Sequence, residues 1–186
     1  MRHSPHDKEV ALEQPEIAVF SPAPEPERPA AEEVVAGIAR RCDRQKLTVA
    51  TAESCTGGLL AAALTSVAGA SSFFCGGIVC YSSPLKVAIG VPAELIGLHG
   101  AASLEVAAAM AQAVRTWAAT DVGVAVTGAA GPLPDGNAQP GQIYIACADA
   151  SRITSAELSR DLGREENRNA AVRQALALLC NSLPKG

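Results

Sequence analysis

The sequence predicts a single three-layer α/β/α domain on a mostly parallel central sheet, and three observations carry that expectation. Short valine- and alanine-rich runs alternate with longer stretches of helical periodicity, the signature of strand–helix–strand units. The run at 121–127, DVGVAVT, is apolar on both alternating faces, as a strand covered on both sides must be. Glycine-bearing loops follow the runs at 47–50 and 121–127, where open α/β sheets bind ligands beyond the carboxyl ends of their strands.

Residues 1–30 hold six of the twelve prolines. The stretch at 21–29, SPAPEPERP, has no place inside a helix or sheet, because proline lacks an amide donor and restricts its predecessor. The expectation is a disordered Pro-rich leader over 1–30 and a folded domain over 31–186; the short apolar patch at 17–20 could dock on the domain, but a solvated tail is the expected state. From Ala31 the period changes: Val34, Val35, Ile38 and Cys42 share one helical face, with Arg40, Arg41 and Arg44 outside it. Residues 47–50 read as the first strand, 51–58 (TAESCTGG) as a loop and 59–67 as a helix. A second strand is expected at 77–82, followed by short helical turns at 84–90 and 92–98. Ser103 is placed to cap a long helix reaching Thr120, with Val106, Met110, Val114 and Trp117 on its buried face. Strands at 121–127, 142–148 and, at an edge, 152–159 precede a last helix over 164–183. Its buried stripe is Val172, Ala175, Leu176, Leu179 and Leu183. Helices between strands imply right-handed crossovers. Three loops, 51–58, 81–86 and 127–140, then leave the carboxyl ends and converge on one pocket.

Composition narrows the function. Apolar residues make up 48% of the chain but only six are aromatic, so the core is built from Ala, Val, Leu and Ile. A net charge of −4 gives no electrostatic case for nucleic acid. No apolar run approaches the roughly 20 residues that cross a bilayer, and the N-terminus lacks the apolar core of an export signal. None of the six cysteines forms a C-x-x-C pair, which argues for free thiols in the cytoplasm. His3 and His6 lie in the leader and His99 stands alone, so neither a metal nor an organic cofactor is expected.

The loop at 51–58 puts Glu53, Ser54, Cys55 and Thr56 at the mouth of a helix, where unpaired amides and partial positive charge suit a phosphate or an oxyanion. Ser54 or Thr56 serving merely as a helix cap is the plain alternative. The second loop brings Tyr81 and Lys86, and the third Thr127 with an uncharged glycine-rich backbone. A serine needs a base to become a nucleophile. No histidine is placed for it, but a desolvated lysine can serve, with a tyrosine relaying or positioning the proton. Against this, a lone lysine is ordinarily a solvated charge and a lone tyrosine a core residue with a wet tip. Lys86 also stands three residues after Ser83, the Ser-x-x-Lys spacing of penicillin-binding proteins.

Four motifs together resemble the C-terminal domain of the competence/damage-inducible protein CinA: ESCTGG at 53–58, Tyr81-x4-Lys86, GAAS at 100–103 and TGAAGP at 127–132. Stand-alone versions of that domain are nicotinamide-nucleotide amidases, and the likeness spans residues 32–183. The resemblance implies hydrolysis of the carboxamide of nicotinamide mononucleotide to nicotinate mononucleotide and ammonia, a step of pyridine-nucleotide recycling. It implies Ser54 as nucleophile and Lys86 with Tyr81 as its base system. Amides of Cys55, Thr56, Gly57 and Gly58 are then candidates for the oxyanion hole. Glu53 would brace the loop, while Thr127, Gly128 and Gly131 would line the nucleotide site. The stretch at 163–168, GREENR, is similar to the family's G-D-R-x-x-x-R, so Arg164 and Arg168 would hold the phosphate. The likeness also implies a homodimer with no nucleic-acid or membrane partner. The chain departs from the family at Ser83 (usually Asn), Ala102 (usually Val) and Gly163 (usually Asp). It also has Gln139-Pro140-Gly141 where K-P-V-G is usual. These departures leave two alternatives: a nucleotide-binding or interaction module without turnover, and an amidase for a related carboxamide nucleotide.

Overall fold

The structure, a computed structural model, describes residues 17–20 and 31–184. It contains six strands: β1 (Ile17–Phe20), β2 (Val49–Glu53), β3 (Phe74–Val79), β4 (Val122–Gly128), β5 (Gln142–Ala148) and β6 (Ile153–Ser159). Helices α1 (Ala31–Gln45), α2 (Leu59–Leu64), α3 (Ser83–Ala88), α4 (Ala93–His99), α5 (Leu104–Trp117) and α6 (Arg164–Ser182) cover both faces, giving the expected α/β/α layers. The strands form one sheet in the order β1-β6-β5-β4-β2-β3.

The sheet is mostly parallel, as expected, with one strand reversed. β3, β2 and β4 are parallel, as are β1 and β6, but β5 runs antiparallel to both neighbours. The cause lies in the connections. No helix separates β4 from β5, so the chain turns back through the loop at 129–141, and a tight turn at 149–152 reverses it again into β6.

The two faces of the sheet differ in side-chain size. Toward α1, α2 and α6 it presents Val49, Val122, Val124, Val126, Ile143 and Ile145. Toward α5 it presents Ala50, Ala52, Ala125, Ala146 and Ala148, with Gly123 among them. This small-residue face lets α5 approach closely: a Cβ on Gly123 would stand 2.1 Å from the Ala111 carbonyl oxygen. Ser103 caps α5 as expected, its hydroxyl accepting from the Val106 amide at 3.3 Å. Val106, Met110 and Val114 are buried, but Trp117 is α5's last residue and is 59% exposed, against expectation. The helical spacing carries the stripe on to Trp117, yet the packed alanine face no longer covers it there.

Two strands are displaced from their expected places. The first continues through Glu53, because β2 is hydrogen-bonded on both sides and buried along its whole length. β3 begins earlier, at Phe74, and its alternating exposure is that of an edge strand. Gly76 and Gly77 blank out the side-chain alternation that a sequence reading relies on. Gly77 lies so near β2 that a Cβ would meet Thr51 Oγ1 at 2.2 Å. The leader expected over 1–30 falls outside the described residues except for Ile17–Phe20. These residues are not a solvated patch. They pair in parallel with Ile153–Ala156, satisfying the outer backbone groups of β6, which therefore is not the edge.

Candidate active site

β2 delivers Glu53, buried at 1% exposure, to the start of α2. One carboxylate oxygen accepts from the Gly58 amide (2.9 Å) and the Leu60 amide (3.1 Å), and the other from the Ala61 amide (2.8 Å). Glu53 thus caps α2 across the loop and braces the turn. Both oxygens are engaged by the loop itself. α2 has Gly58 at its N-cap with no side-chain cap bond there, so neither Ser54 nor Thr56 is spent on capping.

Ser54 follows at the strand end, its amide donating to the Val126 carbonyl at 2.9 Å. Lys86, on α3, reaches it from the neighbouring strand's exit. Its Nζ lies 3.0 Å from Ser54 Oγ, 3.1 Å from the Cys80 carbonyl oxygen and 3.4 Å from that of Tyr81. At 1% exposure Lys86 is not a solvated charge. Burial lowers its pKa, opposed by the nearby Cys80, Asp135 and Cys55. All three contacts are donations from Nζ, to Ser54 Oγ and to the two carbonyls; loss of one proton would leave two N–H groups for the carbonyls and a lone pair for the serine hydroxyl. Ser83, the rival partner, heads α3, and Lys86 makes no hydrogen bond to it.

Tyr81 is not where the likeness placed it. Its main-chain oxygen accepts from Lys86, but its ring is 57% exposed and its hydroxyl accepts from Arg164 Nη2 at 3.2 Å. The phenol touches neither Ser54 nor Lys86, because the backbone turns outward between β3 and α3. Cys55, beside the candidate nucleophile, does not compete with it: burial pushes its thiol up to about 12, leaving it protonated at neutral pH.

The loop amides divide into engaged and free. Gly57 N–H donates to the Ser54 carbonyl (3.0 Å) and Gly58 N–H to Glu53. The amides of Cys55 and Thr56 have no partner among the described residues. The candidate oxyanion donors therefore shrink from four residues to these two. Thr56 Oγ1 is likewise buried and unpartnered.

From the far wall, Thr127 donates to the Ala101 carbonyl at 2.8 Å, tying the GAAS segment to the end of β4. Gly128 is required where β5 crosses: a Cβ there would lie 2.5 Å from the Gln142 carbonyl oxygen. Gly131 offers its carbonyl to Arg164 Nη1 at 2.7 Å. Arg168 turns inward, its Nε and Nη2 donating to the carbonyls of Cys55 (3.0 Å) and Thr56 (2.9 Å). Both arginines expected at a phosphate thus hold backbone, while also lining a recess of about 380 Å³ with Leu59. Asn167, which the sequence reading missed, is 2% exposed. It donates to the Ala130 carbonyl (2.9 Å) and to Asp161 (2.9 Å), and accepts from the Leu162 amide (2.8 Å). An asparagine one turn before Ala171 and two before Ala175, in register with the buried face of α6, was the available signal.

The order of these parts along the chain is matched elsewhere. A model of the CinA C-terminal domain matches residues 31–183. The chain belongs to the CinA C-terminal domain family. A CinA-like protein of Anaeromyxobacter sp. is 43% identical over 164 residues, covering 87% of this chain and 38% of its own length. This CinA domain spans about a third of the length of the curated relatives it matches. Solved structures match it over nearly their whole length. The competence/damage inducible protein CihA of Agrobacterium tumefaciens is 37% identical with a TM-score of 0.77, covering 82% of this chain and 96% of that one. A competence-damaged protein (CinA) superfamily protein of Enterobacter cloacae is 27% identical with a TM-score of 0.82, covering 89% and 99%. Among the described residues of this CinA domain, no helix is long and apolar enough to cross a membrane.

Proposed function

We propose that the chain is a serine amidase that hydrolyses the carboxamide of nicotinamide mononucleotide to nicotinate mononucleotide and ammonia. One observation carries the reading: a buried lysine whose Nζ lies 3.0 Å from Ser54 Oγ and is otherwise held by two main-chain carbonyls. Lys86 takes the hydroxyl proton as Ser54 Oγ bonds to the carboxamide carbon. The resulting oxyanion is met by the amides of Cys55 and Thr56. The C–N bond then breaks, with the proton on Lys86 passing to the departing nitrogen, and ammonia leaves. Water adds to the acyl-enzyme, giving its proton to Lys86. When the ester bond breaks, Lys86 returns that proton to Ser54 and the carboxylate is released.

The phosphate falls to Arg164, exposed at the head of α6 with a guanidinium nitrogen still free. Its position against the helix dipole is unfavourable for a cation alone and improves with a bound anion. The reading includes a cytoplasmic enzyme acting as a homodimer, which the protein's mass in solution checks. Incubation with nicotinamide mononucleotide should release ammonia in step with nicotinate mononucleotide, and Ser54→Ala should abolish both. A substrate panel including nicotinamide riboside and other carboxamide nucleotides tests the substrate separately. Turnover of another member with none of the mononucleotide moves the assignment to that compound; no turnover of any leaves the binding-module alternative.

A further inference from the structure

We propose that Arg168 is a positioning residue that aims and polarises the Thr56 oxyanion-hole amide of the Ser54 loop, and not a ligand of substrate phosphate. This rests on the serine amidase reading above. Two of the three guanidinium nitrogens are spent on consecutive main-chain carbonyls, Nε on Cys55 and Nη2 on Thr56. The first of these matters most. The Cys55–Thr56 peptide is trans, since the one cis bond of the described residues is Gly131–Pro132. In a planar trans peptide the carbonyl oxygen and the amide hydrogen point in opposite directions. Holding the Cys55 oxygen against the guanidinium therefore turns the Thr56 N–H the other way, and that N–H has no partner among the described residues.

The second contact fixes the next peptide. Its carbonyl is held by Nη2, and its own N–H, that of Gly57, is already given to the Ser54 carbonyl. The turn is thus pinned at both of its peptides, while Glu53 holds the Gly58, Leu60 and Ala61 amides behind it. A full positive charge at the oxygen end of a peptide also draws electron density from its N–H, making a better donor for developing negative charge. Arg168 itself is held by its place on α6, whose start is fixed by Asn167 bonding the Ala130 carbonyl. α6 thereby links the glycine loop after β4 to the nucleophile loop after β2.

The test uses Arg168→Met, which keeps the stem's packing, and Arg168→Lys, which keeps the charge but loses the planar fork that reaches two carbonyls. Each is examined well below its melting temperature in two ways. The first is labelling of Ser54 by an alkyl fluorophosphonate. There the serine oxygen bonds to phosphorus, fluoride leaves and the proton passes to Lys86, so the phosphoryl oxygen probes the hole with no nucleotide involved. The second is steady-state deamidation of nicotinamide mononucleotide and of its dephosphorylated riboside. Positioning predicts that Arg168→Met lowers both the labelling rate and kcat about 100-fold, with KM within about twofold and the preference for the phosphorylated substrate intact. Arg168→Lys should recover less than a tenth of the loss. A folded Arg168→Met that labels at the wild-type rate overturns the proposal, as does a variant whose only defect is a raised KM for the phosphorylated substrate. Wild-type protein that labels at Ser54 yet deamidates neither compound sinks the substrate reading alone. The labelling ratio then still decides for or against the role of Arg168.

Discussion

Glu53→Gln is the substitution that best measures how the nucleophile loop is held. The carboxylate accepts three amide hydrogen bonds at 2.8–3.1 Å from a position 1% exposed. A glutamine is nearly the same size but carries one oxygen. If that oxygen takes the Gly58 and Leu60 amides, the new NH2 group faces the Ala61 N–H and one acceptor is lost outright. The two surviving bonds fall from charge-assisted to neutral strength. Hydrogen bonds to charged groups contribute about 1.5–3 kcal/mol each and neutral ones about 1 kcal/mol, so the change costs about 3 kcal/mol. For a domain of this size each kcal/mol moves the melting temperature by about 2–4 °C, giving an expected drop of about 6–12 °C. The same slackening lets Ser54 drift from Lys86, and a displacement of about 1 Å is enough to lower kcat about 100-fold. Thermal melting followed by circular dichroism checks the first number and ammonia release at 25 °C the second. Glu33→Gln, on the exposed first turn of α1, serves as control and should stay within about 0.5 kcal/mol. A shift of less than about 2 °C in Glu53→Gln would refute the view that this carboxylate anchors the loop.

Other expectations follow from the same geometry. Burial holds Lys86 below its ordinary 10.5, so kcat/KM should rise with pH through that lowered value as the amine loses its proton, and initial rates across pH read this limb directly. Between the lowered value and 10.5 the unfolded lysine carries a proton that the folded one does not. Stability therefore rises with pH across that window, and Lys86→Met should remove this part of the slope in urea titrations while abolishing turnover. Arg164→Ala should raise KM for the mononucleotide about tenfold or more and leave that of the riboside unchanged, measured by ammonia release. Gly123→Ala, whose Cβ would collide with the α5 backbone, should destabilise by about 1–3 kcal/mol or more in chemical denaturation with no change in residual kcat.

Much of the fold was legible because its signals are local. Valine-rich β4, the Ser103 cap and the stripe of α6 each follow from residue types within a few positions of one another. The displaced elements depend on partners distant in sequence. β2 reaches Glu53 only because β3 and β4 flank it, and β3 hides behind two glycines that carry no pattern. Trp117 fits its helix's periodicity, but the extent of the surface beneath that helix is a tertiary fact. At the site, spacing and the family likeness brought Ser54 and Lys86 together. Neither revealed which way Tyr81 points, nor that Arg168 turns inward to backbone carbonyls. Side-chain direction after a strand exit is set by the turn's dihedrals, and a guanidinium's choice between a carbonyl and solvent leaves no trace in composition.

The reversal at β5 separates two kinds of change open to this scaffold. Ser54 and Lys86 are mounted where parallel strands end, and moving Ser54 would mean re-registering β2, which is paired on both sides. Within the 129–141 segment Ala130 and Gly131 are tied to α6, but the exposed tip at 132–137 merely closes a hairpin, so residues can be lost or exchanged there without disturbing a ladder. On the proposed amidase reading, selectivity would be retuned by editing that rim while the Ser54–Lys86 pair underneath is inherited unaltered.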